Sequence, residues 1–369
     1  MKTVLRILCA VLCAALLIGM PFFLSAPTLL EEAEERIFSG EEDDEGGEED
    51  DVVDFGRLFF STACAEETSV TELSDEEDPF ANPQAAAESS ALSIREGWAL
   101  SLDLDTVPPA PDPDRFSETG YEDQTIRVHL EERVMQESVV HAAFVEIASP
   151  TQLRTAPAYG INNKRTHYVK TVALQNNAVV AMNGDDAVQD PGKKLFEVRM
   201  GQYFLKRKKI NNHKDTLVID KSGDFHIFEL SRGLKDYKNA HEGDIMHAFT
   251  FGPALVIDGE LAKEKTDYGY NPNGREPRSA IGQTGPLSYV FVVVEGRSDK
   301  SKGVNHHMLA EIMLELGCVQ AYNLDGGNSA ELVLCTSPEP LHYKGQNGSD
   351  RAQSDIIYFA TAVPEEDRE

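Results

Sequence analysis

From Thr125 onward, apolar and polar positions follow the short periods that are typical of a folded domain. Ile126 to Leu130 alternates between apolar and polar side chains, as expected for a half-buried strand. Further runs rich in β-branched and aromatic residues, each bounded by turn residues, indicate more strands. These lie at residues 139–147, 178–182, 217–220, 225–228, 246–257, 279–284, 288–294, 318–324, 331–335 and 355–363.

Helical periods are fewer. Residues 166–175 form one candidate helix, and Gly303 to Leu316 forms the clearest one. In the second, six apolar residues share one helix face, and Gly317 can cap its end. Many strands with few helices predict an α+β fold, a single mixed-sheet domain of about 240 residues over 124–369. The six residues are Val304, Met308, Leu309, Ile312, Met313 and Leu316.

The first thirty residues have the pattern of an export segment. Lys2 and Arg6 precede an apolar run from Ile7 to Leu24. That length lies between the apolar core of a signal peptide and a short membrane span. We therefore expect residues 1–30 to be a signal peptide or a membrane anchor. Either one predicts an extracytoplasmic protein, and an anchor makes the membrane a partner.

Residues 31–123 carry most of the net charge of −29. They contain thirty acidic and four basic residues, whereas the chain from 124 onward carries only −5. Such a charge density opposes collapse and leaves too little apolar area for a core. The proline-rich stretch 108–113 is typical of a stiff linker. We predict a disordered acidic linker between the apolar segment and the domain.

Five cysteines are too few, and too scattered, for a disulfide framework. Only Cys318 and Cys335 fall in the predicted core of the domain. We expect two small buried thiols, and a bridge between them is the alternative that an exported location permits.

One short segment combines a carboxylate with a glycine turn. The predicted strand 318–324 delivers Asp325 to the pair Gly326 and Gly327, which Asn328 and Ser329 follow. Adjacent glycines can adopt a positive φ and leave their N–H groups uncovered, which favours an anion-binding nest. An acid beside an anion site predicts a charged substrate.

Five segments, taken in order, resemble the phosphodiester glycosidase domain family, and the resemblance spans about residues 139–363. They are Ala-Val-Val-Ala-Met-Asn-Gly at 178–184, Phe-Gly-Pro-Ala-Leu-Val at 251–256 with Asp-Gly at 258–259, Arg-Glu-Pro-Arg-Ser-Ala-Ile-Gly at 275–282, Val-Val-Val-Glu-Gly-Arg at 292–297, and Asn-Leu-Asp-Gly-Gly-Asn-Ser at 323–329. Three positions depart from the family pattern. Asp185 and Asn328 replace glycines, and Glu295 replaces an aspartate. Because asparagine tolerates a left-handed backbone, we expect Asn328 to preserve the turn.

The resemblance implies hydrolysis of a sugar that is linked through its anomeric carbon to a phosphodiester. Arginine forks suit the phosphate, and the resemblance points to Arg278 and Arg297. A carboxylate would stabilise or attack the oxocarbenium-like carbon, with Asp325 as the first candidate and Glu295 as the second. Structural alternatives stay open: a turn residue for Asp325, a salt bridge for either arginine, and an ion pair with Arg297 for Glu295.

Four further residues are candidates for substrate binding. They are Asn183, Gly326, Gly327 and Ser329. Each offers an amide, a backbone N–H or a hydroxyl to phosphate or sugar oxygens. For Asn183, a purely structural place before the Gly184 turn is the alternative.

No cofactor and no metal site are expected, with a divalent cation as the alternative. Asn183, Asp185, Asp186 and Asp190 are oxygen donors, but they lack the spacing of a known calcium loop. His306 and His307 are adjacent on a helix, where we expect exposed side chains that diverge. The basic run 206–209 predicts a solvated loop, with docking of an anionic glycan as an alternative, and it is too short to indicate nucleic acid.

The sequence therefore predicts hydrolysis of a sugar-1-phosphodiester in an extracytoplasmic glycan or envelope polymer. The phosphorylated glycan is the expected partner. A non-catalytic phosphoglycan-binding module of the same fold is the alternative. A general phosphodiesterase would require a metal cluster that the sequence does not contain in recognisable form.

Overall fold

The computed structural model describes the chain from residue 100 onward, with short gaps. The predicted signal or anchor segment and most of the predicted acidic linker lie outside the described residues. Among those that are described, no helix is both long enough and apolar enough for a membrane crossing. The described residues are 100–185, 195–241, 243–265, 268–269, 271–346 and 350–367.

The described residues form many short strands and three α-helices. In chain order the strands are β1 (Phe116–Ser117), β2 (Gly120–Glu122), β3 (Ile126–Met135), β4 (Ser138–Ile147), β5 (Leu153–Pro157), β6 (Val180–Asn183), β7 (Phe196–Arg199), β8 (Gln202–Lys208), β9 (Thr216–Asp220), β10 (Phe225–Phe228), β11 (Ile245–Phe249), β12 (Ala254–Ile257), β13 (Glu260–Leu261), β14 (Arg278–Gly285), β15 (Ser288–Val294), β16 (Gln320–Leu324), β17 (Glu331–Leu334), β18 (Leu341–Lys344) and β19 (Asp355–Phe359). The helices are α1 (Val169–Gln175), α2 (Leu234–Ala240) and α3 (His306–Glu315).

Three sheets build the domain. A nine-stranded sheet has the order β1-β2-β3-β4-β15-β14-β16-β12-β13. Two five-stranded sheets have the orders β10-β9-β11-β7-β8 and β18-β17-β6-β19-β5. The strand pairs recorded among the described residues run antiparallel, as in the register that places Ser279 opposite Leu324. This pairing brings the ends of β14 and β16 together.

The central core lies where the three sheets meet. Side chains from one face of the nine-stranded sheet, such as Phe291 and Tyr322, share a cluster with Met182, Leu217 and Phe359 of the two smaller sheets. The other face of the large sheet packs against α3, which explains the apolar stripe of that helix. Burial of these faces from water is the main force that holds the layers together.

The predicted α+β class with few helices is confirmed. The strands predicted at 217–220 and 225–228 are confirmed as β9 and β10, which pair as a hairpin. The helix predicted for 303–316 is confirmed as α3. Periodicity missed β5, β7, β8, β18 and α2, since each is short or carries charged residues on a half-exposed face. The solvated loop predicted for 206–209 is wrong, because 206–208 belong to β8, which pairs with β7. Lysines on such an edge strand oppose further strand pairing.

Residues 100–123, which the sequence analysis assigned to the linker, contact the domain. The Arg154 guanidinium donates hydrogen bonds to the carbonyl oxygens of Asp103 (3.2 Å), Leu104 (3.1 Å) and Thr106 (2.8 Å). Strand β2 pairs with β3. Ordered contacts thus begin before residue 124.

Both cysteines of the domain are buried free thiols, as predicted. Burial raises the pKa of the Cys335 thiol to about 12. A bridge between Cys318 and Cys335 is absent from the structure. The prediction of an exposed His306 is wrong, because this side chain is buried beside Tyr268 at the start of α3.

Candidate active site

Asp325 directly follows β16. The neighbouring strand β14 begins at this same end of the sheet, because Ser279 lies opposite Leu324. The backbone carbonyl of Asp325 accepts hydrogen bonds from Ser279 Oγ and Asn183 Nδ2, both at 2.8 Å. These side chains come from β14 and β6, so two sheets hold the position of Asp325. The residue retains only a small exposed fraction, 8 %.

The Asp325 carboxylate accepts hydrogen bonds from the Ser329 hydroxyl and the Gly326 N–H. Burial raises the pKa of this carboxyl to about 6, and Asp185 adds to the rise by repulsion. The Ser329 hydrogen bond and the positive charge of Arg351 act in the opposite direction. A carboxylate with this pKa is ionised at neutral pH and is held in a medium of low polarity, where its field is strong.

Asn183 is fully buried, and its amide is used by the protein. Besides Asp325, its Nδ2 lies 2.9 Å from the carbonyl oxygen of Gly184 and 3.2 Å from Ser279 Oγ. Its Oδ1 accepts from the N–H of Glu331 at 3.1 Å. Asn183 thus fastens the Asp325 turn to β17, and the predicted contact with a sugar hydroxyl stays a prediction.

The glycine turn after Asp325 is closed by internal hydrogen bonds. The N–H of Gly327 donates to the Pro277 carbonyl at 2.8 Å, and the N–H of Ser329 donates to the Gly326 carbonyl at 3.1 Å. The expectation of an anion nest with uncovered N–H groups is therefore wrong for Gly327, whose N–H is used within the protein. A side chain is sterically disfavoured at both glycines. Gly327 has a φ of 63°, in the left-handed region, and a Cβ on Gly326 would lie 2.7 Å from the Pro277 carbonyl oxygen.

Arg297 lies on the outer side of this turn and is half-exposed. Its guanidinium donates to Glu276 Oε2 (2.7 Å), Asn328 Oδ1 (2.9 Å) and Gln346 Oε1 (2.8 Å). Asn328 contributes this side-chain contact, whereas Gly327 is the left-handed residue of the turn. The expectation that Asn328 takes over a left-handed backbone position is thus wrong.

Arg278 lies beneath the same turn and is buried. Its Nη2 donates to the carbonyl oxygens of Asn271 (2.7 Å) and Gly274 (3.2 Å), and its Nε donates to that of Val304 (3.2 Å). Burial lowers the pKa of this guanidinium to about 10, and it remains charged at neutral pH. Arg278 fastens the 271–274 loop to β14, and its part in phosphate binding stays a prediction.

Glu295 belongs to a separate group of side chains. Its Oε1 lies 2.9 Å from His141 Nε2, and the His141 ring packs against Tyr343 with 4.6 Å between ring centroids. The alternative of an ion pair between Glu295 and Arg297 is wrong, since Arg297 pairs with Glu276. Hydrogen bonds do not link Glu295 to Asp325 in the part of the chain that the structure describes.

Two features near Asp325 were missed by the sequence analysis. Arg351 Nη1 lies 3.4 Å from Ser329 Oγ, which places an exposed cation beside the carboxylate. Its signal in the sequence is only an arginine shortly before the last strand. The second is the partner of Asp185, whose Oδ1 lies 3.2 Å from Arg199 Nη2.

Arg199 is the centre of a buried ion cluster. Its Nε lies 2.5 Å from Asp355 Oδ2, and its Nη1 lies 3.2 Å from Glu197 Oε2. Burial and Asp185 raise the pKa of Glu197 well above its ordinary range. A Cβ on Gly184 would lie 2.6 Å from the Asp355 carboxylate. Any larger residue at this position would therefore clash with Asp355.

The four oxygen donors that were compared with a calcium loop do not form one site in the described part of the chain. Asn183 and Asp185 are engaged by protein groups. Asp186 and Asp190 lie outside the described residues.

A Bacillus subtilis (strain 168) relative, described as an SPbeta prophage-derived uncharacterized protein YomE, is 26 % identical over 188 residues, which are 49 % of this chain and 28 % of that protein. The chain thus spans well under half of that relative's length.

Two solved structures are similar at low identity. The zebrafish N-acetylglucosamine-1-phosphodiester alpha-N-acetylglucosaminidase catalytic domain, auto-inhibited by its pro-peptide, is 18 % identical, with a TM-score of 0.49 over 68 % of this chain and 86 % of that one. A hypothetical protein from Synechocystis is 16 % identical, with a TM-score of 0.48 over 64 % and 62 %. The family model for phosphodiester glycosidase matches residues 176–360, half of the chain and nearly all of the site described above. The chain belongs to the phosphodiester glycosidase family.

Proposed function

We propose that this protein hydrolyses a sugar-1-phosphodiester by breaking the bond between the anomeric carbon and the phosphate oxygen. Family membership supports a phosphodiester glycosidase. The observation that carries the proposal is Asp325, a buried carboxylate with its pKa raised to about 6, placed beside the exposed cation Arg351. Phosphorylated glycans or envelope polymers outside the cytoplasm are the proposed substrates, because the apolar run Ile7–Leu24 predicts export.

Asp325 is the group that meets the positive charge of the reaction. As the sugar–oxygen bond breaks, the anomeric carbon becomes oxocarbenium-like, and an ionised carboxylate stabilises or attacks it. Interactions with the Ser329 side chain and the Gly326 backbone favour the ionised form of this carboxylate. Water supplies the hydroxyl group that the sugar carbon gains, and the phosphate leaves as a monoester. Because that leaving group is already stable as an anion, strong general-acid assistance is not needed.

Arginine side chains around the turn serve the phosphate. Arg351 is exposed and close to Ser329, and Arg297 is half-exposed next to Gly327. Negative charge builds up on the phosphate during cleavage, and guanidinium groups stabilise it. Arg278 supports this arrangement from below by fixing the 271–274 loop.

A binding module without turnover is the second candidate. Asn328 favours it, because its side chain holds Arg297 through a contact that a glycine at this position could not make. An arginine that is already engaged by Glu276, Asn328 and Gln346 suits static binding of a phosphate at the surface.

The test is sugar release by the full-length chain from a sugar-1-phosphodiester in ¹⁸O-water. Label in the released sugar supports cleavage of the carbon–oxygen bond, and label in the phosphate identifies a phosphodiesterase instead. Binding without release identifies the module.

Asp325→Asn should reduce sugar release by about 10³-fold or more. The thermal midpoint at pH 8 should not fall, because the substitution removes a charge that burial disfavours. Asp299→Asn, at an exposed position, is the matched control and should retain activity. If Asp325→Asn unfolds the protein, the aspartate is structural, and unchanged turnover would remove it from the chemistry.

A further inference from the structure

Strands β17 and β18 bring a carboxylate and an imidazole together at the edge of their sheet. Glu331 lies opposite Lys344 in the hairpin, and Val333 lies opposite His342. The Nε2 of His342 is 3.1 Å from Glu331 Oε2. Asp350 approaches the same point from the following loop, so that ligand atoms of Glu331, His342 and Asp350 all lie within 4.8 Å of one another.

Glu331 is the unusual member of this group. Its side chain is fully buried, and its Oε1 has no hydrogen-bond partner. A buried carboxylate oxygen without a donor or cation is costly, and native proteins generally satisfy such groups. His342 contacts only Oε2, so the remaining demand at Glu331 is for a positive ion or a donor.

We propose that Glu331, His342 and Asp350 form a binding site for a divalent transition metal of the Zn²⁺ type. One imidazole nitrogen and two carboxylates are ligands that Zn²⁺ accepts, with water completing four-coordination. Metal–ligand bonds of about 2.1 Å place tetrahedral ligand atoms about 3.4 Å apart. The separation of Glu331 and His342 is already close to that value, and Asp350 has an exposed side chain that can adjust.

Lys344 competes with the metal. Its ammonium group contacts Asp350 Oδ1, and it lies on the strand that carries His342. Binding of the ion at Asp350 must displace this contact or use the other carboxylate oxygen. Removal of the Lys344 charge should therefore tighten metal binding, a result that a merely structural Asp350–Lys344 pair would not produce.

The site adjoins the Asp325 turn but does not depend on the proposed activity. The N–H of Glu331 donates a hydrogen bond to Asn183 Oδ1, and Asp350 directly precedes Arg351 in the chain. A bound ion would connect Asp350 to Glu331 of β17. It would thereby restrict the position of the neighbouring residue Arg351. Metal binding can be measured whether or not the protein releases sugar.

Calorimetric titration of the metal-free full-length chain with Zn²⁺ tests the proposal. We expect one tight site per chain. His342→Ala and Asp350→Asn should each weaken it at least about tenfold, since the first removes the imidazole ligand and the second replaces a charged carboxylate ligand by a neutral amide. Asp350 is exposed, so its substitution keeps the test independent of folding. Lys344→Met should bind more tightly than the wild type.

His307→Ala is the matched control. His307 also lies beside a glutamate, Glu311, at 3.4 Å, but on the half-exposed surface of α3. The tight site should survive this substitution. The proposal is overturned if no tight site exists, if either His342→Ala or Asp350→Asn binds Zn²⁺ as the wild type does, or if His307→Ala abolishes the tight site.

Discussion

Two groups of buried charges lie near each other in this protein, and they differ in access. Around Arg199, the carboxylates of Asp185, Glu197 and Asp355 surround one guanidinium, and all of these side chains are buried. At Asp325 a single buried carboxylate faces an exposed arginine across Ser329. Burial raises carboxyl pKa values in both groups. A shifted pKa alone therefore does not mark a catalytic residue, and access to substrate is what separates the two.

The strongest test of this contrast is Arg199→Met. Three buried carboxylates would lose their counter-charge, which should lower the free energy of unfolding by about 3–5 kcal/mol. Denaturant unfolding measures this change. Arg297→Met is the matched control at a half-exposed ion pair, and it should cost about 1 kcal/mol or less. Equal and small effects would show that the Arg199 cluster is not a structural centre.

The pH dependence of the Asp325 group comes next in size. The pKa of this carboxyl is about 6 in the folded protein, against an ordinary value of 3.8. The folded state therefore holds the proton more tightly, and this contribution to stability is present below about pH 4 and lost as the pH rises to 6. The full loss is about 3 kcal/mol. Wild type and Asp325→Asn should diverge in stability over that window, and parallel curves would contradict the raised pKa.

The rate of sugar release should rise with pH over the range in which this contribution to stability is lost. Because the reaction needs ionised Asp325, kcat/KM should fall about tenfold per pH unit below pH 6. A profile that stays flat from pH 7 to pH 4 would mean that another group carries the charge.

Arg351→Met tests the accessible side of the Asp325 site. Loss of the cation should lower kcat/KM by about 10²-fold, because one stabilising contact to the transition state disappears. Stability should change little, since Arg351 is exposed. Arg133→Met, a substitution on β3 at a half-exposed arginine paired with Glu131, is the control and should leave kinetics unchanged. An activity loss in Arg133→Met as well would indicate a general effect of charge.

The smallest effect is expected for Glu295→Gln. Glutamine can keep a hydrogen bond to His141, and Glu295 lies outside the hydrogen bonds of Asp325. Sugar release should fall less than about tenfold, by roughly 1 kcal/mol. Steady-state kinetics checks this value. A loss as large as that of Asp325→Asn would make Glu295 the second catalytic carboxylate.

Most strands and the helix α3 could be predicted from the sequence because periodicity is a local property. The run at 288–294 is short and rich in β-branched and aromatic residues, which favours a strand, and the apolar stripe of α3 has the helical period. Strands such as β8 could not be predicted, since Lys206 and its neighbours obscure the alternation. Their strand state depends on pairing with β7, which no local pattern reveals.

The candidate site was predictable only in part. Asp325 and the Gly326–Gly327 turn stand in one short segment, so their proximity follows from the chain itself. Arg351 was missed because its place beside Ser329 depends on how β17, β18 and the following loop fold back. The ion pair of Asp185 could not be predicted for the same reason, since its partner Arg199 lies on a strand of another sheet.

The sequence by itself determined the fold class, the family and the position of a carboxylate at a glycine turn, because these follow from periods and contiguous motifs. Only the tertiary structure decided which groups each charge contacts. In the structure, the Asn328 side chain accepts a hydrogen bond from Arg297, His141 contacts Glu295, and Arg199 forms ion pairs with three carboxylates. The physical reason is that hydrogen bonds and ion pairs act over about 3 Å between residues far apart in the chain, and only packing of the three sheets brings them within that range.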